Sequence, residues 1–80
     1  MKLQIMAFGI ARDILKGSRT EVETPPSTTV GELKQILLSL YPELEDLRSL
    51  AIAVNEEYRE DKWILGEKDE IVLIPPVSGG

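Results

Sequence analysis

The chain has 80 residues, a net charge of −5, no histidine and no cysteine. That length supports one small domain, which buries only about 60–65% of the surface its unfolded chain exposes and has no room for both a core and an enclosed catalytic cleft. Without cysteine a disulfide framework is excluded, and a cytoplasmic home is the default expectation.

In chain order, "KLQIMAF" (2–8) alternates Leu3, Ile5 and Ala7 against Lys2, Gln4, Met6 and Phe8. A period of two predicts a strand. "GIARDILKGS" then predicts a short helical turn closed by Gly17. "RTEVET" (19–24), with its Thr and Val, predicts a second strand, ended by Pro25-Pro26. Thr29 and Glu32 have the spacing of a capping box, which opens the main helix. Val30, Leu33, Ile36, Leu37 and Leu40 line one face of it at helical spacing. Tyr41-Pro42 stops it, because proline disfavours α geometry at the residue before it. "AIAVN" (51–55) and "EYRE" (57–60) predict a hairpin around Asn55-Glu56, since Asn tolerates positive φ. Trp63, Ile64 and Leu65 are expected to plug the following loop. "EIVLI" (70–74) is the last strand.

That order is ββαββ-β, an α+β domain with one main helix. Ile71, Val72, Leu73 and Ile74 are apolar without alternation, as in a central strand covered on both faces. One helix covers only one face of a sheet. Val72 and Ile74 are therefore expected on the open face beside Phe8 and Met6, as a docking surface. A homodimer contact or cover by the Trp63 loop is the other reading of that patch.

The acidic clusters Glu43/Glu45/Asp46, Glu56/Glu57/Glu60/Asp61 and Glu67/Asp69/Glu70 read as solvated surface. With no basic stripe, neither nucleic acid nor an anionic membrane is an expected partner. No apolar run approaches the roughly 20 residues of a membrane span, and the first residues do not resemble a signal peptide. Without His or Cys there is no Ser-His-Asp or Cys-His arrangement and no soft metal ligand. The glycines at 9, 17, 31 and 66 are isolated, so no phosphate cradle is present. Glu56 and Glu57 fall on an expected exposed turn, and Glu43, Glu45 and Asp46 lack the spacing of a calcium loop.

One reactive group remains, the α-carboxylate of Gly80. It is ionised at neutral pH and a poor electrophile. An ATP-using partner would convert it to an acyl-adenylate that sulfide, a thiol or an amine attacks. Pro75 and Pro76 lack N–H donors, so they end the strand and direct the chain off the sheet. Gly79 and Gly80, with no side chains, fit a tunnel too narrow for other residues. An idle frayed end is the bland alternative. From average glycine usage, a terminal Gly-Gly arises by chance in roughly 0.5% of chains.

"PPVSGG" after "DEIVLI" resembles the end of the small subunit of molybdopterin synthase, the MoaD group of ubiquitin-like sulfur carriers. Phe8-Gly9-Ile10-Ala11-Arg12-Asp13 is similar to that family's "F-A-x-x-R-E" region, and the capped helix and "AVNEEY" follow at the family's distances. Lys68 departs from a frequent Gly, with an altered turn expected there. The resemblance implies a β-grasp fold: a mixed sheet of about five strands, the first and last parallel at its centre, and one main helix on one face. It implies a domain over 1–76 and a tail over 77–80. It also implies that Gly80 is adenylated and carries sulfur as a thiocarboxylate, and that Gly79 and Ser78 give the tail access. Phe8, Arg12, Val72, Ile74, Pro75, Pro76 and Val77 are then the candidates for partner binding. The implied partners are the large synthase subunit, in a heterotetramer with two copies of each, and an adenylating enzyme related to ubiquitin-activating enzymes. No cofactor is expected on the chain itself; ATP and Mg²⁺ belong to the activating partner. The carrier is not expected to be an enzyme alone. A carrier for thiazole synthesis, a protein modifier joined to lysines, and a plain interaction module are the alternatives.

Overall fold

The computed structural model describes residues 1–46 and 50–74. Strand β1 (Lys2–Ala7) buries Leu3, Ile5 and Ala7 completely and leaves Lys2 and Gln4 in solvent. Gly9 begins helix α1 (Gly9–Leu15) at φ 57, a left-handed value that a residue with a Cβ adopts only under strain. Ala11 and Leu15 seat this short helix on the core. Lys16, not Gly17, closes it: Lys16 takes the left-handed conformation, and the Gly17 N–H reaches back to the Arg12 carbonyl at 3.1 Å. The expected glycine closure is thus displaced by one residue, because this wrap needs its left-handed residue one step earlier.

Strand β2 (Arg19–Glu23) pairs antiparallel with β1, its Val22 opposite Leu3. The turn after Pro25-Pro26 is fixed by the Thr28 hydroxyl, which donates to the Pro25 carbonyl at 2.6 Å. Helix α2 (Val30–Leu40) opens on the expected capping box: Thr29 Oγ1 accepts from Glu32 N–H at 3.2 Å, and Glu32 Oε1 accepts from Thr29 N–H at 2.9 Å. Val30, Leu33 and Leu37 are wholly buried. Leu40 was expected on the same face but is 56% exposed. The helix ends there, and Leu44, from the 3-10 turn Pro42–Asp46, fills the core instead.

Strands β3 (Ala51–Val54) and β4 (Glu57–Tyr58) form a hairpin whose two turn residues, Asn55 and Glu56, have φ of 52 and 70. Two successive positive φ values give the turn hand that matches strand twist. In the next loop only Leu65 is a plug, at 3% exposure, while Trp63 and Ile64 are 40% and 61% exposed. An antiparallel bridge between Thr29 and Ile64 explains this: Trp63 O accepts from Val30 N–H and Leu65 N–H donates to Thr28 O. Alternation across that bridge turns Leu65 inward and Ile64 outward. Trp63 lies at the rim under the Arg59 guanidinium, 4.0 Å from its ring centre.

Strand β5 (Ile71–Ile74) completes the sheet. Among the described residues the five strands run β2-β1-β5-β3-β4, with β1 and β5 parallel and the other pairs antiparallel. This is a ubiquitin-like β-grasp, α+β, with β1 and β5 side by side at its centre. Ile71 and Leu73 enter the core that Leu33 and Leu37 cover. The Gly66–Asp69 turn before β5 closes through Asp69 N–H to Gly66 O at 3.0 Å, with Lys68 needing no positive φ.

Candidate functional site: the open sheet face and the strand that leads to Gly80

Alternation in β5 divides its four residues cleanly. Ile71 and Leu73 are fully buried, while Val72 and Ile74 are half-buried on the face that α2 leaves open. Register then assembles their neighbours. Val72 lies between Met6 of β1 and Ala53 of β3, and Ala53 is opposite Tyr58 of β4. Arg19 of β2 is opposite Met6 at the other end. The result is one row across all five strands, Arg19–Met6–Val72–Ala53–Tyr58, apolar in the middle. A second row places Ala51 beside Ile74. Phe8, one residue past β1, is 53% exposed.

The register thus places Met6 beside Val72 as expected, while Phe8 lies one residue beyond the paired residues of β1 and β5. Tyr58, at 69% exposure, and the small residues Ala51 and Ala53 were not anticipated as part of this face. The signal was available: a two-residue turn at Asn55-Glu56 forces Ala53 opposite Tyr58, and Ala53 shares a face with Val72. Arg12 is exposed in the last turn of α1, outside the sheet rows. Pro75, Pro76, Val77, Ser78, Gly79 and Gly80 lie outside the described residues; Ile74 is the strand residue from which they follow in sequence.

Beside the row is a cavity of about 320 Å³, floored by Gln4 and Met6 and walled by Arg19 and the turn from Glu67 to Glu70. Two of the acidic side chains that line it, and Glu21 on the neighbouring strand, accept hydrogen bonds. Glu21 accepts from the Gln4 amide at 2.7 Å, Glu67 from Lys2 N–H at 3.3 Å, and Asp69 from Gly66 N–H at 2.8 Å. Glu56 and Glu57 are exposed, and Glu57 is bonded to Arg59, so these paired carboxylates form a solvated edge. Among the described residues no three acidic side chains converge on a metal position, and no helix is long and apolar enough to cross a membrane.

The ThiS family matches residues 5–80. Curated relatives called molybdopterin synthase sulfur carrier subunit align over the whole chain. That of Mycobacterium tuberculosis is 35% identical over 82 residues and 99% covered, and that of Caenorhabditis briggsae is 34% identical over 83 and 99% covered. The Arabidopsis thaliana relative is 32% identical over 81 residues, with 84% of its length covered. Among solved structures, the complex of subunits 1 and 2 of molybdopterin-converting factor from Helicobacter pylori contains a chain 30% identical, with a TM-score of 0.68 and all of both chains covered. SAMP1 of Haloferax volcanii, at 22% identity, shares the fold with a TM-score of 0.84 over all of both chains. With its central β1–β5 pair, its open apolar face and this full-length likeness, the chain belongs to the ThiS family.

Proposed function

We propose that this chain is the sulfur-carrier subunit of a molybdopterin synthase and that the carboxylate of Gly80 bears the sulfur. The reading rests on one observation: the strand that leads to Gly80 is the central strand, in the middle of an apolar row that no other described element covers. Relatives of equal length that carry this name support it. A partner enzyme of the ubiquitin-activating type uses ATP and Mg²⁺ to join AMP to the Gly80 carboxylate with loss of pyrophosphate. Sulfide released by a sulfur donor attacks the acyl carbon; the C–S bond forms, the C–O bond to AMP breaks, AMP and a proton leave, and a thiocarboxylate remains. Phe8, Val72 and Ile74, with Met6 and Tyr58, dock the carrier on a large subunit. Pro75, Pro76 and Val77 join that partner-binding set, Ser78 and Gly79 give the tail access to the partner's active site, and Arg12 serves as a secondary contact. The sulfur then moves to a cyclic pterin precursor, towards a dithiolene. The assembly is a heterotetramer with two copies of each subunit, and the carrier supplies the sulfur without catalysing its transfer alone. Its work is done in the cytoplasm.

A thiazole-forming carrier fits the family as well, but the shared name of the relatives favours molybdopterin. The deciding experiment is the intact mass of the chain produced beside its native activating enzyme. Replacement of one oxygen by sulfur at Gly80 is expected. An added protein joined through an amide would make the chain a modifier, and an unchanged mass would remove the carrier reading.

A further inference from the structure

Asn55 does more than accept a positive φ. Its backbone N–H donates to the Glu70 carbonyl at 2.8 Å, and its side-chain Oδ1 accepts from the Glu70 N–H at 2.9 Å. Its Nδ2 donates to Asp69 Oδ1 at 3.0 Å, while Asp69 Oδ2 accepts from Gly66 N–H at 2.8 Å. One closed network thus ties the β3–β4 turn, the Gly66–Asp69 turn and the residue immediately before β5. The chemistry of each partner fixes the amide: an N–H at Glu70 demands an oxygen, and the Asp69 carboxylate demands a donor. Asp keeps only the first bond, and Gly keeps neither.

Building on the reading of Gly80 as the reactive end, we propose that Asn55 is a positioning residue for sulfur transfer. It clamps the upstream end of β5, so that the chain leaving the downstream end enters the partner in a fixed direction. β5 is four residues long. Past Ile74, Pro75 and Pro76 have no N–H to give to the ladder. The strand is therefore held by its pairing with β1 and β3 and by this clamp at its entry. A strand loosened at that entry pivots, and misplacement by about 1 Å at a reacting centre can slow a reaction by up to about a hundredfold.

Three variants test this. Asn55→Gly keeps the left-handed backbone and deletes only the amide. Asn55→Asp also tolerates positive φ but sets two carboxylates against each other. The double variant N55D/D69N exchanges donor and acceptor. The amide introduced at 69 offers an oxygen to the Gly66 N–H and an NH₂ to the carboxylate at 55, whose other oxygen takes the Glu70 N–H. Two quantities are read: amide exchange in the free carrier, and single-turnover transfer from the preformed thiocarboxylate on the large subunit, with affinity measured separately. Asn55→Gly and Asn55→Asp are expected to speed exchange at Glu70 and Ile71 about tenfold relative to β1–β2 amides. Both are expected to slow transfer about tenfold with affinity changed less than about twofold. The double variant is expected to recover both quantities, a coupling that independent effects would not give. A role in the turn alone would leave Asn55→Asp near wild type, and that result overturns the proposal. So does a double variant whose losses add, or slow transfer explained wholly by lost affinity. If the wild-type chain never acquires sulfur, the functional reading has failed. If it transfers sulfur and the variants match it, this inference alone has failed.

Discussion

Changing Val72 and Leu73 to Asp, one at a time, separates the two faces of the last strand. Leu73 is 0% exposed, between Ala7 of β1 and Ile52 of β3. Removing its side chain costs about 2–5 kcal/mol as in other large-to-small core changes. A carboxyl left there without a partner adds at least about 1–3 kcal/mol. At roughly 0.1 kcal/mol per residue the whole domain is stable by well under 15 kcal/mol, so the loss is comparable with the total and Leu73→Asp is expected to unfold it. Val72 is half-buried on the open face, between Met6 and Ala53. Loss of its partial burial and strand preference amounts to about 1–2 kcal/mol, which lowers Tm by roughly 5–15 °C in a domain this small. The free variant therefore stays folded, because its charge faces water. Against an apolar partner surface the same charge is stranded without a counter-ion, at about 3–5 kcal/mol, so affinity for the large subunit is expected to fall at least about a hundredfold. Circular dichroism and a binding titration on both variants decide the matter. If Val72→Asp unfolds while Leu73→Asp folds, the faces are assigned the wrong way round. Tight binding by folded Val72→Asp would mean that docking uses another surface.

Three further outcomes are expected. Deletion of Gly80 should leave the melting curve unchanged and abolish molybdopterin formation; normal formation by the shortened chain would remove the carrier mechanism. Gly79→Leu should block transfer at wild-type stability, and near-normal pterin conversion would show that the glycines serve flexibility rather than fit. Gly31→Val should lower stability by about 1–3 kcal/mol through overpacking, because an added Cβ sits 3.0 Å from Asp61 Cβ and 3.3 Å from the Asp61 carbonyl that accepts the Gly31 N–H. An unchanged Tm there would show that the loop yields freely, and sulfur transfer, remote from that helix turn, should be unaffected either way.

Features set by residues close together in the chain were legible in the sequence. The Thr29–Glu32 box, the stop at Tyr41-Pro42 and the positive φ of Asn55 each follow from side chains within a few positions. The alternation of Val72 and Ile74 against Ile71 and Leu73 was legible too, because one helix cannot cover both faces of a sheet. What escaped depends on distant partners. Leu40 has the right helical phase, yet Leu44 occupies the core, since the chain's path after the helix decides which leucine arrives there. Trp63 and Ile64 look like plug residues until the bridge to Thr29 sets their direction. Lys16 takes a conformation for which Gly17 is the better local candidate, and the neighbouring hydrogen bonds hold it there. The clamp of Asn55 spans 14 and 15 positions to Asp69 and Glu70, so no local pattern announces it.

The place of β5 in the sheet bears directly on the proposed chemistry. The edges are β2 and β4, where Arg19, Glu21, Glu23 and Glu57 present charge to solvent, as suits strands that must not pair with other chains. An end rooted on either edge would leave from a strand held on one side only, and edge strands open more readily than central ones. β5 is held on both sides, by β1 in parallel and β3 in antiparallel register. Its alternating residues then divide: Ile71 and Leu73 bind the strand to the core, while Val72 and Ile74 lie on the open face, the docking row of the proposed function. Under the proposed function, folding, docking and transfer therefore depend on different residues of one short segment. Leu73→Asp should accordingly fail already in circular dichroism, Val72→Asp should fold and fail first in the binding titration, and Gly79→Leu should fold and bind and fail only in transfer; loss of the fold in all three would contradict this division.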